Sequence, residues 1–397
     1  MKNNIYIVLH TLSVGGAERH ASSIANYLCK KGYSVKIVLI DNDTVSYKLN
    51  DSIEVVCLPN TIKAENTLSR FENVTNKINL KFFKIFSNER YSYFDKYLFY
   101  KLRYADKLAT FFPSQKDIES SIVLSFMPTP NISCAIAKEK CKCKFKLILG
   151  EFSSPHLEFS ADAPENKMKR KFFPNAEGFV FQTDEQMSFY DYLPDVEKTI
   201  IPNPIEKISV EPYSGVRKKE IVNFCRLAPA KNIQLLVNAF AKLHIDYPDY
   251  KLVIYGDGPE RSLIDKSISE HLLNDAVEIR PFAQNVLELV RESAMFVSSS
   301  NREGISNSML EAMAIGLPTI CTDCPAGGAR MMIRSYENGL LVPVNDVYAL
   351  YEAMKYMIEH PDAAAKMGEN AVYVREILEK EKILNKWCEF VEEIRRK

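Results

Sequence analysis

The residues best suited to chemistry are Glu303 and Glu311, two carboxylates flanking the run Gly304-Ile305-Ser306-Asn307-Ser308-Met309-Leu310. An apolar run, Ala294-Met295-Phe296-Val297, precedes them and reads as a buried strand. Leu310-Glu311-Ala312-Met313-Ala314-Ile315 reads as a helix stopped by Gly316 and Pro318. One acid therefore falls in a loop at a strand's carboxyl end, the other inside the next helix. Between them, Ser306, Asn307 and Ser308 expose the backbone N–H groups of a helix start. Unpaired N–H groups and the positive end of the helix dipole together favour an anion. A phosphate between two carboxylates needs a reason. A sugar nucleotide supplies one, with its diphosphate at the helix end and hydroxyls on either side for the acids to accept from.

The elements that must hold these residues alternate strand and helix. In the second half the expected strands are 221–225, 251–255, 277–279, 295–298 and 319–321, with helices over 233–244, 260–269, 286–292 and 307–315 between them. Such alternation predicts a parallel sheet covered on both faces. The first half opens on strand 5–9, a glycine turn at Gly15-Gly16, a helix over 17–30 and strand 35–40, a β-α-β unit. Strand 122–125, a helix near 129–140, strand 145–149 and strand 178–182 continue it. Ile200-Ile201-Pro202-Asn203-Pro204 has linker composition, so the expected domains are 1–202 and 203–377, with a C-terminal helix over 378–397 completing the first. Two such domains would form a cleft at the carboxyl ends of their strands, where ligands of open α/β sheets bind.

Composition removes other classes. The 397 residues are 46% hydrophobic and 26% charged with a net charge of zero. That is ordinary for a globular chain and unlike a nucleic-acid binder. Residues 61–110 nevertheless carry ten Lys/Arg against five Asp/Glu. No segment approaches the roughly 18 apolar residues of a membrane span. The run Ile5–Leu9 is too short for a secretion signal. Nine scattered cysteines suit a reducing compartment, and the lone pair Cys321/Cys324 lacks a partner pair at zinc-ligand spacing. A cytoplasmic location is expected, with peripheral contact at the inner face of a cell membrane.

At this point the chain resembles retaining glycosyltransferases of family 4, glycosyl transferases group 1. Glu303 and Glu311 match the family's two-glutamate motif. Arg226 and Lys231, in Cys225-Arg226-Leu227-Ala228-Pro229-Ala230-Lys231, match its basic pair. Tyr255-Gly256-Asp257-Gly258-Pro259 matches its glycine turn, and Cys324-Pro325-Ala326-Gly327-Gly328-Ala329-Arg330 the loop beyond the motif. Gly15-Gly16 is similar to its opening glycine loop and Ile201-Pro202-Asn203 to its linker. The resemblance implies an α/β GT-B fold, two Rossmann-like domains with parallel sheets facing a central cleft. It implies a donor site of Gly15, Gly16, Arg226, Lys231, Gly256, Ile305, Ser306, Asn307, Ser308 and Glu311. Arg226 and Lys231 would clamp the diphosphate, Glu311 would accept from ribose hydroxyls, and Glu303 would contact the transferred sugar. Many relatives place a histidine after the strand that here ends at Leu149-Gly150. This chain offers Glu151 or His156 instead. Met331 stands where many relatives carry an acid. Asp323 is a candidate nucleophile, although a strand-end acid is more often structural.

No metal or other cofactor is expected, since the basic clamp takes a cation's place. The expected donor is a UDP-linked hexose or N-acetylhexosamine. The expected acceptor is a glycan or lipid-linked oligosaccharide in surface polysaccharide, lipopolysaccharide or glycan assembly. Aromatic and basic residues over 81–108 suit either helices packed into the first domain or a face for an anionic membrane. Alternating lysines over 138–146 would share one side of an extended segment. The alternatives are a GT-B sugar-nucleotide epimerase and a non-catalytic nucleotide-binding partner subunit. A nicotinamide oxidoreductase fits less well, because Gly15-Gly16 is not G-x-G-x-x-G.

Overall fold

A computed structural model describes residues 4–13, 15–58, 101–152, 163–193 and 196–397. The chain divides into two compact units, Met1–Val180 with Asp191–Thr199 and Cys388–Lys397, and Phe181–Tyr190 with Ile200–Trp387.

The first unit is built on a seven-stranded sheet in the order β3-β2-β1-β4-β5-β6-β7. Its strands are β1 Asn4–Leu9, β2 Ser34–Leu39, β3 Glu54–Cys57, β4 Ile122–Phe126, β5 Lys146–Glu151, β6 Gly178–Phe181 and β7 Glu197–Ile200. The pairings from β3 through β5 are parallel. Residues Ile5 to Leu9 are all at most 2% exposed. A central strand covered on both faces requires such a continuous apolar run. Helices Gly16–Lys30 and Pro128–Cys141 are among its connections.

Both edge strands of this sheet escape the sequence reading. β3 and β7 are four residues long and no residue of either is fully buried; β7 has no apolar run, and β3 offers only Val55-Val56-Cys57. The alternating lysines prove not to lie on one extended segment, only Lys146 standing in a strand, at the start of β5. Lys138 and Lys140 lie on helix Pro128–Cys141, paired to Glu177 and Asp106, and Lys142 is a left-handed residue ending the helix. Of the aromatic run over 81–108, residues 81–100 lie outside the described residues. Beyond them Tyr104 and Phe112 are buried in the first unit's core.

The second unit carries a six-stranded sheet in the order β10-β9-β8-β11-β12-β13. Its strands are β8 Lys218–Phe224, β9 Lys251–Tyr255, β10 Val277–Arg280, β11 Ser293–Ser298, β12 Thr319–Thr322 and β13 Leu340–Val342. Every pairing is parallel. Helices Ile233–Asp246 and Val347–Glu359 close over one face, placing Leu236, Phe240, Leu350 and Met354 in the core with Ile254, Val297 and Ile320. The chain runs outward through β8, β9 and β10, then returns to pair β11 with β8. The strand order reverses there, at the place where ligands of open α/β sheets bind.

Candidate active site

The loops leaving β8 and β11 are laced together. The Asn301 N–H donates to the Ala230 carbonyl at 2.8 Å, and Ser299 Oγ donates to the Lys231 carbonyl at 3.0 Å. Asn232 Nδ2 donates to Asn301 Oδ1 at 2.9 Å. Asn232 adopts a left-handed conformation (φ 44°), which ends the short turn Pro229–Lys231 and starts helix Ile233–Asp246. This fixes the Lys231 backbone and brings its ammonium onto the Glu303 carboxylate, a hydrogen-bonded ion pair. The two side chains stay 21% and 24% exposed. Burial pulls the Lys231 ammonium down, but the Glu303 charge and hydrogen bond outweigh it, and the net shift is upward. Lys231 therefore stays cationic at neutral pH. Arg226, on the same loop, is exposed.

Gly256 supports this arrangement from beneath. Its N–H donates to the Arg280 carbonyl at 2.9 Å and is not open to a ligand. At φ +155° any Cβ would run into the Cys225 carbonyl oxygen, so only glycine lets the loops after β8 and β9 touch here.

The helix after β11 runs Asn307–Ala314 and is capped by Ser306, whose hydroxyl accepts from the Met309 N–H at 3.4 Å. The Ile305 N–H is engaged by Gln182 Oε1 at 3.3 Å. The N–H groups of Ser306, Asn307 and Ser308 meet no acceptor among the described residues. Glu311 is half-buried further along the helix. A small depression lies here, lined by polar and apolar side chains alike, among them Glu303, Ser306, Ser300, Met309, Cys321 and Thr322. Glu303, with Lys231 bound to it, and Ser306, which begins the run of free N–H donors, both line this space.

The loop after β12 forms the remaining wall. Helix Gly328–Met332 starts against the Gly304–Ile305 backbone, so closely that a Cβ on Gly328 would overlap the Gly304 carbonyl. Asp323 accepts from Arg330 Nε at 2.7 Å, and Arg330 also reaches Glu185 at 3.1 Å. Met331 is 38% exposed. Cys321 and Cys324 are free, buried thiols, and burial pushes Cys324 up to about 12. Neither is a thiolate at physiological pH. Among the described residues no group of three or more His, Cys, Asp or Glu converges in a way that could hold a metal ion.

The other sequence-predicted residues belong to the first unit. Gly15 precedes helix Gly16–Lys30, and its N–H donates to the Tyr47 hydroxyl at 2.8 Å. Gly16 is exposed. Glu151, the last residue of β5, is 0% exposed. Its Oε2 accepts from Lys169 Nζ at 2.6 Å and its Oε1 from Asn131 Nδ2 at 2.6 Å. His156 lies outside the described residues. His10 Nε2 faces the Tyr104 hydroxyl at 3.3 Å, and Asp41 lies 4.0 Å from its Nδ1.

Sequence reasoning missed Gln182, Glu185 and Asn203, all in the second unit. Their contacts to the loops after β11 and β12 join residues 102 to 145 positions apart, and no local pattern marks them.

Residues 205–372 match the profile of the glycosyl transferases group 1 family, so this stretch is a glycosyl transferases group 1 domain. The chain is 26% identical over 356 residues to the Campylobacter jejuni N-acetylgalactosamine-N,N'-diacetylbacillosaminyl-diphospho-undecaprenol 4-alpha-N-acetylgalactosaminyltransferase, covering 89% of each. It is 37% identical over 172 residues to a Streptomyces coelicolor exopolysaccharide phosphotransferase, but spans only 18% of that protein. The pneumococcal O-GlcNAc transferase, solved with UDP and GlcNAc, aligns over 99% of both chains with a TM-score of 0.72 and 16% identity. The shared architecture is the GT-B fold.

Proposed function

We propose that this chain is a retaining, metal-independent glycosyltransferase. It moves a hexose or N-acetylhexosamine from a UDP-sugar to a glycan or lipid-diphosphate-linked acceptor during surface polysaccharide, lipopolysaccharide or glycan assembly. It works in the cytoplasm, at the inner face of the membrane that carries such an acceptor. The observation carrying the reading is that Glu303, paired to Lys231, and Ser306, which begins the unengaged N–H donors at Ser306, Asn307 and Ser308, line one small depression. The acceptor class is supported by the lipid-diphosphate substrate in the Campylobacter relative's name, and the uridine base by UDP in the pneumococcal structure.

In this reading the diphosphate sits on the Ser306–Ser308 amides. Lys231 and Arg226 take the charge that builds on the departing nucleotide. Glu303 keeps Lys231 in place and accepts from hydroxyls of the transferred sugar, while Glu311 accepts from the ribose. The acceptor hydroxyl oxygen bonds to the anomeric carbon on the face the diphosphate leaves. The bond from that carbon to the phosphate oxygen breaks and its electron pair stays on the phosphate, which takes the hydroxyl proton. Configuration is retained without a covalent enzyme intermediate. Asp323 is bound to Arg330 and serves as a loop brace.

The test is calorimetric titration in excess chelator against UDP, GDP, ADP and NAD⁺, followed by transfer from the matching nucleotide sugars to polyprenyl-diphosphate sugar acceptors. Saturable UDP binding with chelator-insensitive transfer is the expected result. Binding of NAD⁺ alone, or no nucleotide binding, would overturn the reading. Nucleotide-sugar conversion without an acceptor would replace it with an epimerase.

A further inference from the structure

The donor-loop backbone is held by a segment far from it in sequence. Residues Phe181–Tyr190 belong to the second unit although their neighbours on both sides belong to the first. Gln182 is 3% exposed and engaged on every side. Its Oε1 accepts from the Ile305 N–H at 3.3 Å, and its Nε2 donates to Asn203 Oδ1 at 2.6 Å. Asn203 Nδ2 then donates to the Ile305 carbonyl and to Asn307 Oδ1, each at 3.3 Å. The Ile305 residue is thus held at both its N–H and its carbonyl by one linked amide pair. Ile305 immediately precedes the capping Ser306, so its orientation sets where the next three N–H groups point.

The same segment reaches the neighbouring loop. Thr183 Oγ1 donates to the Ala326 carbonyl, Glu185 Oε1 accepts from the Ala326 N–H at 3.3 Å, and Glu185 Oε2 pairs with Arg330 at 3.1 Å. A buried amide has few alternative partners, so losing one bond leaves a group unsatisfied and frees the loop to turn.

We infer that Gln182 and Asn203 are positioning residues for the donor site, orienting the Ile305 peptides so that the Ser306–Ser308 amides face the diphosphate. This rests on the donor-site reading above. Neither side chain need touch the nucleotide.

The experiment compares Gln182→Met, Asn203→Ala and Gln186→Met with wild type, by UDP calorimetry, donor KM against kcat, and thermal unfolding. Gln186 is equally buried and its Oε1 accepts from the Gln182 N–H within the segment, so its substitution is the control for general damage. Gln182→Met and Asn203→Ala are each expected to weaken UDP about tenfold and raise donor KM by a similar factor, the scale of one lost buried hydrogen bond. Gln186→Met should lower the unfolding temperature while UDP binding by the folded protein stays within about twofold. Unchanged UDP affinity in Gln182→Met, or equal losses in Gln186→Met, would overturn the inference while wild-type UDP binding keeps the transferase reading. If Gln182→Met does not fold, Asn203→Ala decides, since its side chain is only partly buried and tolerates truncation. Absence of UDP binding in wild type would remove both.

Discussion

Glu151 and Glu303 invite comparison. Each stands at or just beyond the carboxyl end of a parallel strand, β5 or β11, and each is bound to a lysine. The first pair, with Lys169, is sealed at 0% and 2% exposure, and Asn131 engages the carboxylate's other oxygen. The second, with Lys231, keeps about a fifth to a quarter of each side chain open. A sealed pair has no water or ligand to turn to, so its charges must satisfy each other, and the cost of stranding one is severe. An open pair can share its lysine with an incoming anion at little cost. Two like ion pairs thus sit in different surroundings, one sealed in the first unit and the other, in the proposed reading, open to a substrate anion.

The comparison breaks most visibly at the sealed pair. Lys169→Met should cost about 3–5 kcal/mol of stability by leaving Glu151 charged and alone. Denaturant unfolding checks this, and adding Glu151→Gln should recover part of the loss. If Glu151 were instead the group acting on the acceptor, Glu151→Gln would abolish turnover and leave the unfolding midpoint in place. At the open pair, Glu303→Gln should slow transfer by about a hundredfold while UDP affinity changes far less, as befits a group facing the sugar. Steady-state rates beside calorimetry give that ratio, and a greater loss of UDP affinity than of rate would reassign Glu303 to the nucleotide. Lys231→Ala should weaken UDP by about 1–3 kcal/mol, a lost charged hydrogen bond, with a smaller effect on stability.

The last prediction concerns pH and is the smallest. Glu303 raises the Lys231 ammonium above its ordinary range. The pair's contribution to stability is therefore complete below the unfolded lysine's value and is lost as pH climbs through the folded one. UDP affinity should show no lysine titration between pH 7 and 9, which calorimetry across that window would reveal. Burial holds the Cys225 and Cys324 thiols up at about 12. Mass spectrometry after brief alkylation at pH 8 should find the buried Cys324 unmodified, and Cys225, partly exposed but held protonated, labelled far more slowly than Cys29 and Cys388.

How far the sequence foretold this molecule differs between its parts. The alternation of the second half was legible because a parallel strand buried on both faces is an unbroken apolar word, as in Met295 to Val297. Strand β13 is a lone Leu340-Leu341-Val342, β3 has only Val55-Val56-Cys57 on an exposed edge, and β7 is mostly polar, so each is too short or too polar to stand out as a strand. The lysines over 138–146 misled because their period of two coincides with a helix that ends midway. In the site, Glu303, Ser306 and Glu311 could be found because strand, loop and helix follow one another along the chain. The Lys231–Glu303 bond spans 72 positions, and the Gln182 bond to Ile305 spans 123. Such contacts are made by topology, and only the folded chain displays them.

The backbone contact between Gly328 and Gly304 has a practical consequence. Two peptide segments touching without an intervening side chain have no soft layer to absorb a change in either. Under the proposed reading, anyone wishing to alter the donor sugar by transplanting residues 303–308 from a relative would be moving half of a joint. The transplanted half would meet a counterpart cut for a different shape. Residues 323–330 must travel with it, and the two loops are best regarded as a single replaceable cassette.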